Sequence, residues 1–319
     1  MHKLLAGLIT THELLGSAAA LQVAVRLAMH LRARVHRVLA KGVDVWYGLL
    51  AHTVQCHASL CIECLFVWLC ALPACVLAWL RVCEHVFIDP VLLCRYDFIN
   101  QEVGGTSEAL ADLARVTGNS SWLQLAAMFE RPCFTHSLAR GGVADAIEKM
   151  HANTHLPQLL GTMARYEATG EQPLRVAAEN FWTALQDGHM FATGGSTTGE
   201  VWLRAGALGD AVAPQRAGNY WAHDQAETCV AHNSMRVSRR LLQWSTWASW
   251  ERALSHASYQ ERTLYNAVLG TQRGSNPGQM LYMMPLGSGV SKAGIPDAPQ
   301  VTQPGLQTHR CTPPYISIR

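Results

Sequence analysis

Residues 156–185 read L-P-Q-L-L-G-T-M-A-R-Y-E-A-T-G-E-Q-P-L-R-V-A-A-E-N-F-W-T-A-L. Apolar residues recur every three or four positions on both sides of the turn Thr169-Gly170-Glu171, which is the pattern of two amphipathic helices. Glycine suits the left-handed position just past a helix end. The stretch therefore predicts a helical hairpin closed by a Thr-Gly-polar turn, and it indicates an all-α fold class.

The same arrangement occurs earlier in the chain. A helical pattern covers residues 108–116, the turn Thr117-Gly118-Asn119 follows, and a second apolar face begins at Trp122. Residues 4–40 read as two further helices that are separated at Gly16-Ser17. Repeated antiparallel hairpins that each bury one face build either an open solenoid or a closed α/α barrel.

Composition divides the chain into four parts. Residues 1–42 hold the first helices, and residues 99–294 form the main helical domain. Between them, residues 43–98 are rich in Cys, Trp and Leu and lose amphipathic spacing, so we interpret them as an insertion foreign to the fold. Within that insertion, Cys64–Leu80 has no charged residue, and the alternative, which we do not favour, is a membrane span. Pro and Gln accumulate in residues 295–319, which predicts a disordered tail.

Charge and cysteine content restrict the partners and the compartment. A net charge of +2 without a basic stripe argues against a nucleic-acid partner. Seven of the ten cysteines fall between Cys56 and Cys94, so they characterise one segment and do not form a disulfide framework for the whole fold. The apolar run after Lys3 is interrupted at Thr10 and makes a poor signal peptide. Either the protein is intracellular or its true start is missing.

The residue types that carry chemistry are concentrated in two stretches. The first, F-A-T-G-G-S-T-T-G-E-V-W, places Glu200 directly after a glycine turn. The second, A-E-T-C, places Glu227 and Cys229 before a helix-like run. A carboxylate and a thiolate two residues apart can bind the same metal ion, and a free carboxylate nearby can transfer protons. The pattern predicts an acid beside a partial metal site.

Two other motifs have more than one interpretation. His151 and His155 lie four residues apart and could ligate a metal from one helix face, but Pro157 favours an irregular start of the helix. A histidine and an asparagine at a helix start suit hydrogen bonding to hydroxyl groups, and a capping His-Asn turn is an equally good interpretation. Trp244, Trp247 and Tyr259 are interpreted as core or rim residues, with the core first, in preference to a ligand platform.

Seven motifs, taken in order, resemble glycoside hydrolase family 127, the β-L-arabinofuranosidase-like enzymes. The resemblance covers residues 99–294, residues 4–41 resemble the helices that precede this part in the family, and the final motifs look most like the plant and algal branch. The motifs are N-Q-E-V-G-G-T-S-E-A-L-A-D-L, H-A-N-T-H-L-P, R-Y-E-A-T-G-E, A-T-G-G-S-T-T-G-E, A-E-T-C, Y-Q-E-R-T-L-Y-N-A-V-L-G-T-Q-R-G and Y-M-M-P-L-G-S-G-V-S-K.

The resemblance implies a fold and an activity. The family folds as an (α/α)6 barrel of the six-hairpin type, and its members remove β-L-arabinofuranose from glycans with retention, using a zinc-bound cysteine as nucleophile. Carried over, Glu200 matches the general acid/base, Glu227 and Cys229 match two zinc ligands, and His151 and Glu261 match residues that contact the sugar. An acid that protonates a leaving group at neutral pH needs a raised pKa, so Glu200 is expected to have one.

The chain also departs from the family. In the family, two adjacent cysteines after the Y-M-M-P-L-G segment supply the nucleophile and the last zinc ligand, whereas no Cys-Cys pair occurs in this sequence. Cys311 is not assigned as the nucleophile, which stays unknown, and two ligands are too few for a tight zinc site. We therefore expect an incomplete, truncated barrel with impaired activity. The alternative is a non-catalytic helical remnant that binds carbohydrate or protein.

Overall fold

The computed structural model describes residues 1–40, 104–141, 147–212, 225–273 and 276–287. The predictions of an insertion at 43–98 and of a disordered tail at 295–319 lie outside these residues. In the described part, no helix combines the length and the apolar character that crossing a membrane requires. The proposed span Cys64–Leu80 lies outside the part in which that was determined.

Most described residues are helical, which confirms the all-α fold class. One short antiparallel hairpin, β1 (Gln272–Arg273) with β2 (Asn276–Met280), is the exception among the named elements. The helices are α1 (His2–Leu15), α2 (Ala18–Leu39), α3 (Thr106–Thr117), α4 (Ser121–Ala127), α5 (Pro132–Arg140), α6 (Ala152–Thr169), α7 (Gln172–Gly188), α8 (Leu208–Val212), α9 (Thr228–Trp244) and α10 (Trp250–Thr263). A 3₁₀ turn (Trp247–Ser249) precedes α10, and a π-helical turn (Leu264–Val268) and a second 3₁₀ turn (Leu269–Thr271) follow it.

The predicted hairpin turns are present. Gly16, Gly118 and Gly170 end α1, α3 and α6 in the left-handed conformation, with φ of 65°, 67° and 73°. A side chain at such an angle is strained, which explains why the pattern uses glycine there. The predicted helical hairpins are therefore confirmed at all three positions.

Two apolar cores lie beneath these hairpins. One joins α1, α2, α3 and α4, and the other joins α5, α6, α7, α9, α10 and Trp202. The predicted inner face of the helix after Gly170 is buried as a whole, namely Leu174, Ala177, Ala178, Phe181, Trp182 and Leu185. Tyr259 is also in the core and Trp244 packs against it, but Trp247 is 95% exposed. The core interpretation was therefore wrong for Trp247, which lies in the short turn between α9 and α10.

Helices α1 and α3 run parallel, although they are separated in sequence. The His2 ring packs on Gly104, just before α3 begins, and Glu13 pairs with Arg115 at 2.7 Å near the ends of both helices. The first contact joins the starts of the two helices and the second joins their ends, so α1 and α3 run in the same direction. Each helix returns through its hairpin partner, α2 or α4, so parallel packing of α1 on α3 follows from the hairpin repeat.

Helices α3, α6 and α9 also run parallel to one another. The Gln158 side chain donates to the Gly104 carbonyl at 3.4 Å, and one turn later Gly161 packs against Ser107. Between α6 and α9, Asn153 contacts Asn233 near the starts, and Glu167 pairs with Arg240 near the ends. Four parallel helices therefore form one layer. Such a layer is what an α/α barrel requires, but closure into a six-hairpin barrel stays a prediction.

Gly161 is needed for the close packing of α6 on α3. A Cβ atom at Gly161 would lie 2.7 Å from the Ser107 Cβ and 3.0 Å from the Glu108 backbone nitrogen, whereas a Cβ at Gly7, inside α1, would have no heavy atom within 4 Å. We expect Gly161→Ala to lower the free energy of unfolding by about 1–3 kcal/mol. Gly7→Ala, the matched control, is expected to raise it by roughly 0.5–1 kcal/mol. Denaturant unfolding measures both, and equal effects would contradict this packing.

Candidate active site

Glu200 lies in a two-residue hairpin turn. Thr198 and Val201 exchange backbone hydrogen bonds of 3.1 and 3.3 Å, and the two residues between them, Gly199 and Glu200, have φ of 58° and 67°. Positive φ at both central positions defines a type I′ turn. The left-handed conformation costs a residue other than glycine about 1–2 kcal/mol. Glu200 is thus held in local strain, a feature that recurs at functional sites.

A short backbone ribbon connects this turn to the start of α6. The Ala152 N–H donates to the Glu200 carbonyl at 2.9 Å, and Trp202 exchanges hydrogen bonds with Lys149 and Met150 at 2.8 and 3.2 Å. The Trp202 ring is fully buried beneath the ribbon. Because the ribbon joins residues 149–152 to residues 200–202, it fixes Glu200 relative to His151.

The glycine pair Gly194-Gly195 packs the preceding loop against α10 and α9. A Cβ at Gly194, where φ is 95°, would lie 2.0 Å from the Thr263 hydroxyl, and a Cβ at Gly195 would lie 2.7 Å from the Cβ of Ala226. No side chain fits at either position. The pair therefore lets the A-T-G-G-S-T-T-G-E segment lie directly beside the start of α9.

Glu227 and Cys229 flank the first residue of α9. The backbone N–H of Thr228 donates to the Tyr282 carbonyl at 3.0 Å, which attaches the start of α9 to the segment that carries Tyr282. Glu227 is buried, Cys229 is half-buried, and the Cys229 thiol is near enough to the Glu227 carboxyl to lower its pKa, against the larger effect of burial. The structure thus places the predicted carboxylate and thiol close together.

The hydroxyl of Tyr282 joins the two carboxyl groups. Its oxygen lies 3.1 Å from Glu200 Oε1 and 2.6 Å from Glu227 Oε1. A phenol has one proton to donate, so two ionised carboxylates compete for it. Burial raises the pKa of Glu227, and burial together with the neighbouring Glu227 raises the pKa of Tyr282. Glu227 is therefore the carboxyl group that takes up a proton more readily.

Sequence reasoning did not identify Tyr282. It lies in the Y-M-M-P-L-G segment, but a tyrosine among apolar residues shows no local pattern of chemistry. Its role depends on contacts with residues 55 and 82 positions away in the chain.

His151 contacts the other side of Glu200. Its Nε2 lies 3.2 Å from Glu200 Oε2, while its Nδ1 accepts a hydrogen bond from the Thr154 backbone N–H at 3.2 Å. His151 is thus the cap of α6, which confirms the capping interpretation, and it is also a neighbour of the candidate acid. Its contact with a sugar stays a prediction. Because Nδ1 accepts, Nε2 carries the proton that it donates to the carboxylate.

This hydrogen bond from His151 lowers the pKa of Glu200, and Tyr282 contributes in the same direction. Burial acts in the opposite direction but is the smaller effect, since the Glu200 side chain is 40% exposed. The expected raised pKa is therefore wrong for the protein without substrate. The physical reason is that a donor lies next to the charged form and that solvent still reaches it.

His155 does not form a metal-binding pair with His151. Its Nδ1 donates to the His151 carbonyl at 2.8 Å, and its Nε2 accepts from Arg131 at 2.7 Å. Burial, followed by the Arg131 charge, lowers the pKa of His155 to about 3. Both ring nitrogens are engaged, which favours a structural role for this histidine.

Glu261 lies apart from this group. It is an exposed residue of α10, two positions from Tyr259 and Thr263, which face the Gly194 turn; the Tyr259 hydroxyl donates to the Gly194 carbonyl at 3.0 Å. Because a helix turns about 100° per residue, Glu261 points away from that face. Its role as a sugar contact stays a prediction.

The described residues contain two of the donor groups that a zinc ion would require. Glu227 uses Oε1 for Tyr282, its Oε2 is buried without a described hydrogen-bond partner, and the Cys229 thiol is adjacent. A buried carboxylate oxygen next to a thiol fits the donor chemistry of zinc. Zinc sites in proteins use three or four protein ligands, however, and no group of three or more His, Cys, Asp or Glu residues in the described part is placed to hold a metal. A zinc ion bound here would need further ligands from residues beyond the described ones.

A comparison with models of protein families gives one match. Residues 95–316 match the model of the GH127 catalytic domain, β-L-arabinofuranosidase. Solved structures similar to this chain include Ara127N-Se, a GH127 β-L-arabinofuranosidase from Geobacillus stearothermophilus T6 (21% identity, TM-score 0.41, 56% of this chain and 30% of that chain), and the GH127 β-arabinofuranosidase BT3674 (21% identity, TM-score 0.40, 57% of this chain and 27% of that chain). No curated protein matches the chain.

The family model covers more than half of the sequence, so this chain belongs to glycoside hydrolase family 127. The family resemblance identified from the seven motifs is thereby confirmed. The chain spans less than a third of the length of the two solved relatives.

His151→Ala tests the electrostatics of the site. Loss of the Nε2 hydrogen bond removes the main cause of the lowered Glu200 pKa, so that pKa is expected to rise toward or above 4.5, the ordinary value for a glutamate. Carboxyl ¹³C NMR titration, with the signal assigned through Glu200→Gln, measures the change.

The sign of the linked stability follows from that shift. A lowered pKa contributes stability above about pH 4.5 and loses it as the pH falls through the folded-state value, and His151→Ala should weaken this contribution. Replacement of the exposed His36 on α2 by Ala is the control. An unchanged Glu200 pKa in His151→Ala would show that the contact does not form in solution.

Proposed function

We propose that the site belongs to a glycoside hydrolase acting on β-L-arabinofuranosides, with Glu200 as the proton-transfer residue. The observation that supports it best is the placement of the Glu200 carboxyl between His151 and the Tyr282 hydroxyl, at 3.2 and 3.1 Å. Three segments far apart in sequence converge on one half-exposed carboxyl group. Substrate specificity is carried over from the family, and L-arabinofuranose-containing glycans are the proposed substrates.

A retaining glycosidase needs one carboxyl group that first protonates the leaving oxygen and then activates water. With a lowered pKa, Glu200 is ionised at neutral pH and suits the second task. For the first task it must take up a proton. A sugar hydroxyl that replaces Glu200 as the partner of His151 would remove the hydrogen bond that holds this pKa down. His151 would then contact the sugar, as the family resemblance implies, and Glu200 would take up a proton more readily.

We further propose that Glu227 and Cys229 hold a zinc ion together with ligands outside the described residues. Zinc, when bound, keeps a cysteine deprotonated at neutral pH and so available as a nucleophile. The position of Cys229 in the first turn of α9 also favours negative charge on its sulfur, because the helix N-terminus is electropositive. The nucleophile itself is not assigned, since the sequence contains no Cys-Cys pair.

Activity of the 319-residue chain tests the role of Glu200 and the proposed impairment together. Because the sequence contains no Cys-Cys pair, hydrolysis of an aryl β-L-arabinofuranoside is expected to be close to background. Any residual turnover should fall by a further 10²-fold or more, roughly, in Glu200→Gln, which removes the proton-transfer group. The exposed Glu251→Gln on α10 is the matched control.

The outcomes separate the two claims. Strong turnover that Glu200→Gln abolishes would refute the impairment and support the role of Glu200. Turnover that survives Glu200→Gln would refute that role.

A non-catalytic glycan-binding protein is the second candidate. The lowered pKa of Glu200 favours it, because an acid that stays ionised does not protonate a leaving group.

Metal content distinguishes the two candidates. For the hydrolase, the purified chain is expected to contain zinc in a ratio approaching one per chain, and Cys229→Ser should lower that ratio at least several-fold, because a hydroxyl is a poor substitute for a thiolate ligand. Elemental analysis by mass spectrometry measures it, with Ser234→Ala in the same helix as a control for handling. Metal-free chain with intact glycan binding would favour the binding protein.

A further inference from the structure

The most exposed large apolar side chain in the described part of the chain is Trp247, at 95%. Hydrogen bonds fix the turn that carries it between α9 and α10: the Thr246 N–H donates to Ser249 Oγ at 2.9 Å, and the Ser249 N–H donates to the Thr246 carbonyl at 2.9 Å. Trp250 and Leu254 lie one turn apart on α10, and each is 57% exposed. Apolar side chains that a fixed turn and a helix hold in solvent indicate an interaction surface.

A pocket with a volume of about 270 Å³ lies beside this turn, between α7, the end of α9 and α10. Ser245 and Ser249, which lie two residues before and two residues after Trp247, both line it, whereas Trp247 does not. The lining includes the buried rings of Trp182 and His256, whose centroids are 5.1 Å apart. The same surface therefore carries a projecting indole and an aromatic-lined pocket.

The pocket suits an indole in size and in chemistry. Small-molecule sites usually begin at about 300 Å³, whereas a tryptophan side chain at the packing density of a protein interior needs roughly 150–200 Å³. Arg252, an exposed residue of the α10 wall, can place its guanidinium over an inserted indole. On the α7 wall, Glu179 binds Arg175 through Oε1 at 2.8 Å, and its Oε2 can accept the indole N–H.

Because the indole and the pocket are neighbours, this surface is complementary to a copy of itself. A twofold axis between Trp247 and the pocket brings each indole to the pocket of the other copy, so that the same contact forms twice. Two indoles of about 150–250 Å² each, with an equal area of the pockets that receive them, account for roughly 600–1,000 Å². The exposed parts of Trp250 and Leu254 bring the total to the roughly 1,000 Å² expected of a specific interface.

We propose that two copies of this chain form a twofold dimer in which Trp247 of each copy inserts into the pocket between α7 and α10 of the other. Trp250 and Leu254 surround the inserted indole and exclude water from it. The inference goes beyond the proposed function, because none of the residues assigned to the reaction lines this pocket.

Sedimentation velocity of the 319-residue chain measures the dissociation constant of the dimer. The unaltered chain is expected to be dimeric at micromolar concentration. Trp247→Ala removes the indole, and Thr183→Trp, at an exposed α7 position in the pocket lining, fills the pocket. Each change is expected to raise the dissociation constant at least about 30-fold, which corresponds to the loss of a hot-spot residue.

Two matched controls change exposed positions elsewhere. Leu14→Ala shortens another exposed apolar side chain, on α1, and Val176→Trp adds a tryptophan to α7 outside the pocket lining. Both should keep the dissociation constant of the unaltered chain. Circular dichroism checks that every variant keeps its helical content.

A mixture of the two disruptive variants tests the reciprocal arrangement. Trp247→Ala keeps an open pocket and Thr183→Trp keeps the indole of Trp247, so a mixed dimer has one intact insertion, whereas a dimer of either variant alone has none. The mixed dimer is therefore expected to be at least about fivefold tighter than either variant alone, since one of two equal contacts is restored.

Each outcome decides the proposal. A monomeric unaltered chain, or one that forms aggregates without a defined stoichiometry, would overturn it. So would a Thr183→Trp variant that dimerises like the unaltered chain, because the pocket would then be unused, or a mixture that associates no more tightly than its components. Loss in both variants with recovery in the mixture supports the dimer, and none of these results bears on hydrolysis at Glu200.

Discussion

The site depends on the backbone ribbon that joins residues 149–152 to residues 200–202. The hydrogen bond from the Ala152 N–H to the Glu200 carbonyl starts α6 and fixes the strained turn of Glu200 in one step. A turn with positive φ at a glutamate persists only when its surroundings determine it, and here the ribbon and the buried Trp202 ring do so. Without that ribbon, no backbone hydrogen bond would hold Glu200 next to His151. The same few hydrogen bonds thus fix the start of α6 and the position of Glu200 beside His151.

The two carboxyl groups share one tyrosine, but their pKa values are shifted in opposite directions. Tyr282 lies within hydrogen-bonding distance of both, yet burial dominates at Glu227 and raises its pKa, whereas the His151 hydrogen bond dominates at Glu200 and lowers it. Pairs of acids whose environments separate their pKa values in this way are typical of sites that assign one acid to each task. In the protein without substrate, Glu227 has the raised pKa and Glu200 the lowered one, whereas a general acid at Glu200 requires the reverse. A substrate that alters the His151 contact is the simplest way to change it.

The sequence predicted what depends on local periodicity. The helical hairpins, the left-handed Gly118 and Gly170, and the buried face of α7 all follow from residue spacing within one or two turns. The proximity of Glu227 and Cys229 also followed, since a spacing of two residues brings them close in almost any fold. Tyr282 and the lowered Glu200 pKa did not, because both arise between segments that are far apart in sequence. The prediction of a core position for Trp247 was wrong for a similar reason. A tryptophan near other aromatic residues suggests a core position, but a short turn places Trp247 in solvent.

Proton uptake and substrate binding are coupled at this site if Glu200 performs the chemistry. His151 cannot donate the same proton to Glu200 and to a sugar hydroxyl, so a sugar that takes this hydrogen bond also removes the main cause of the lowered pKa. By linkage, the protonated form of Glu200 then binds substrate more tightly than the ionised form does. The exchange is favoured because the Glu200 carboxyl is half-exposed, where water and a sugar can both reach it. The hydrogen bond from His151 that makes Glu200 a weak proton donor in the free protein would thus also allow a bound substrate to raise the Glu200 pKa.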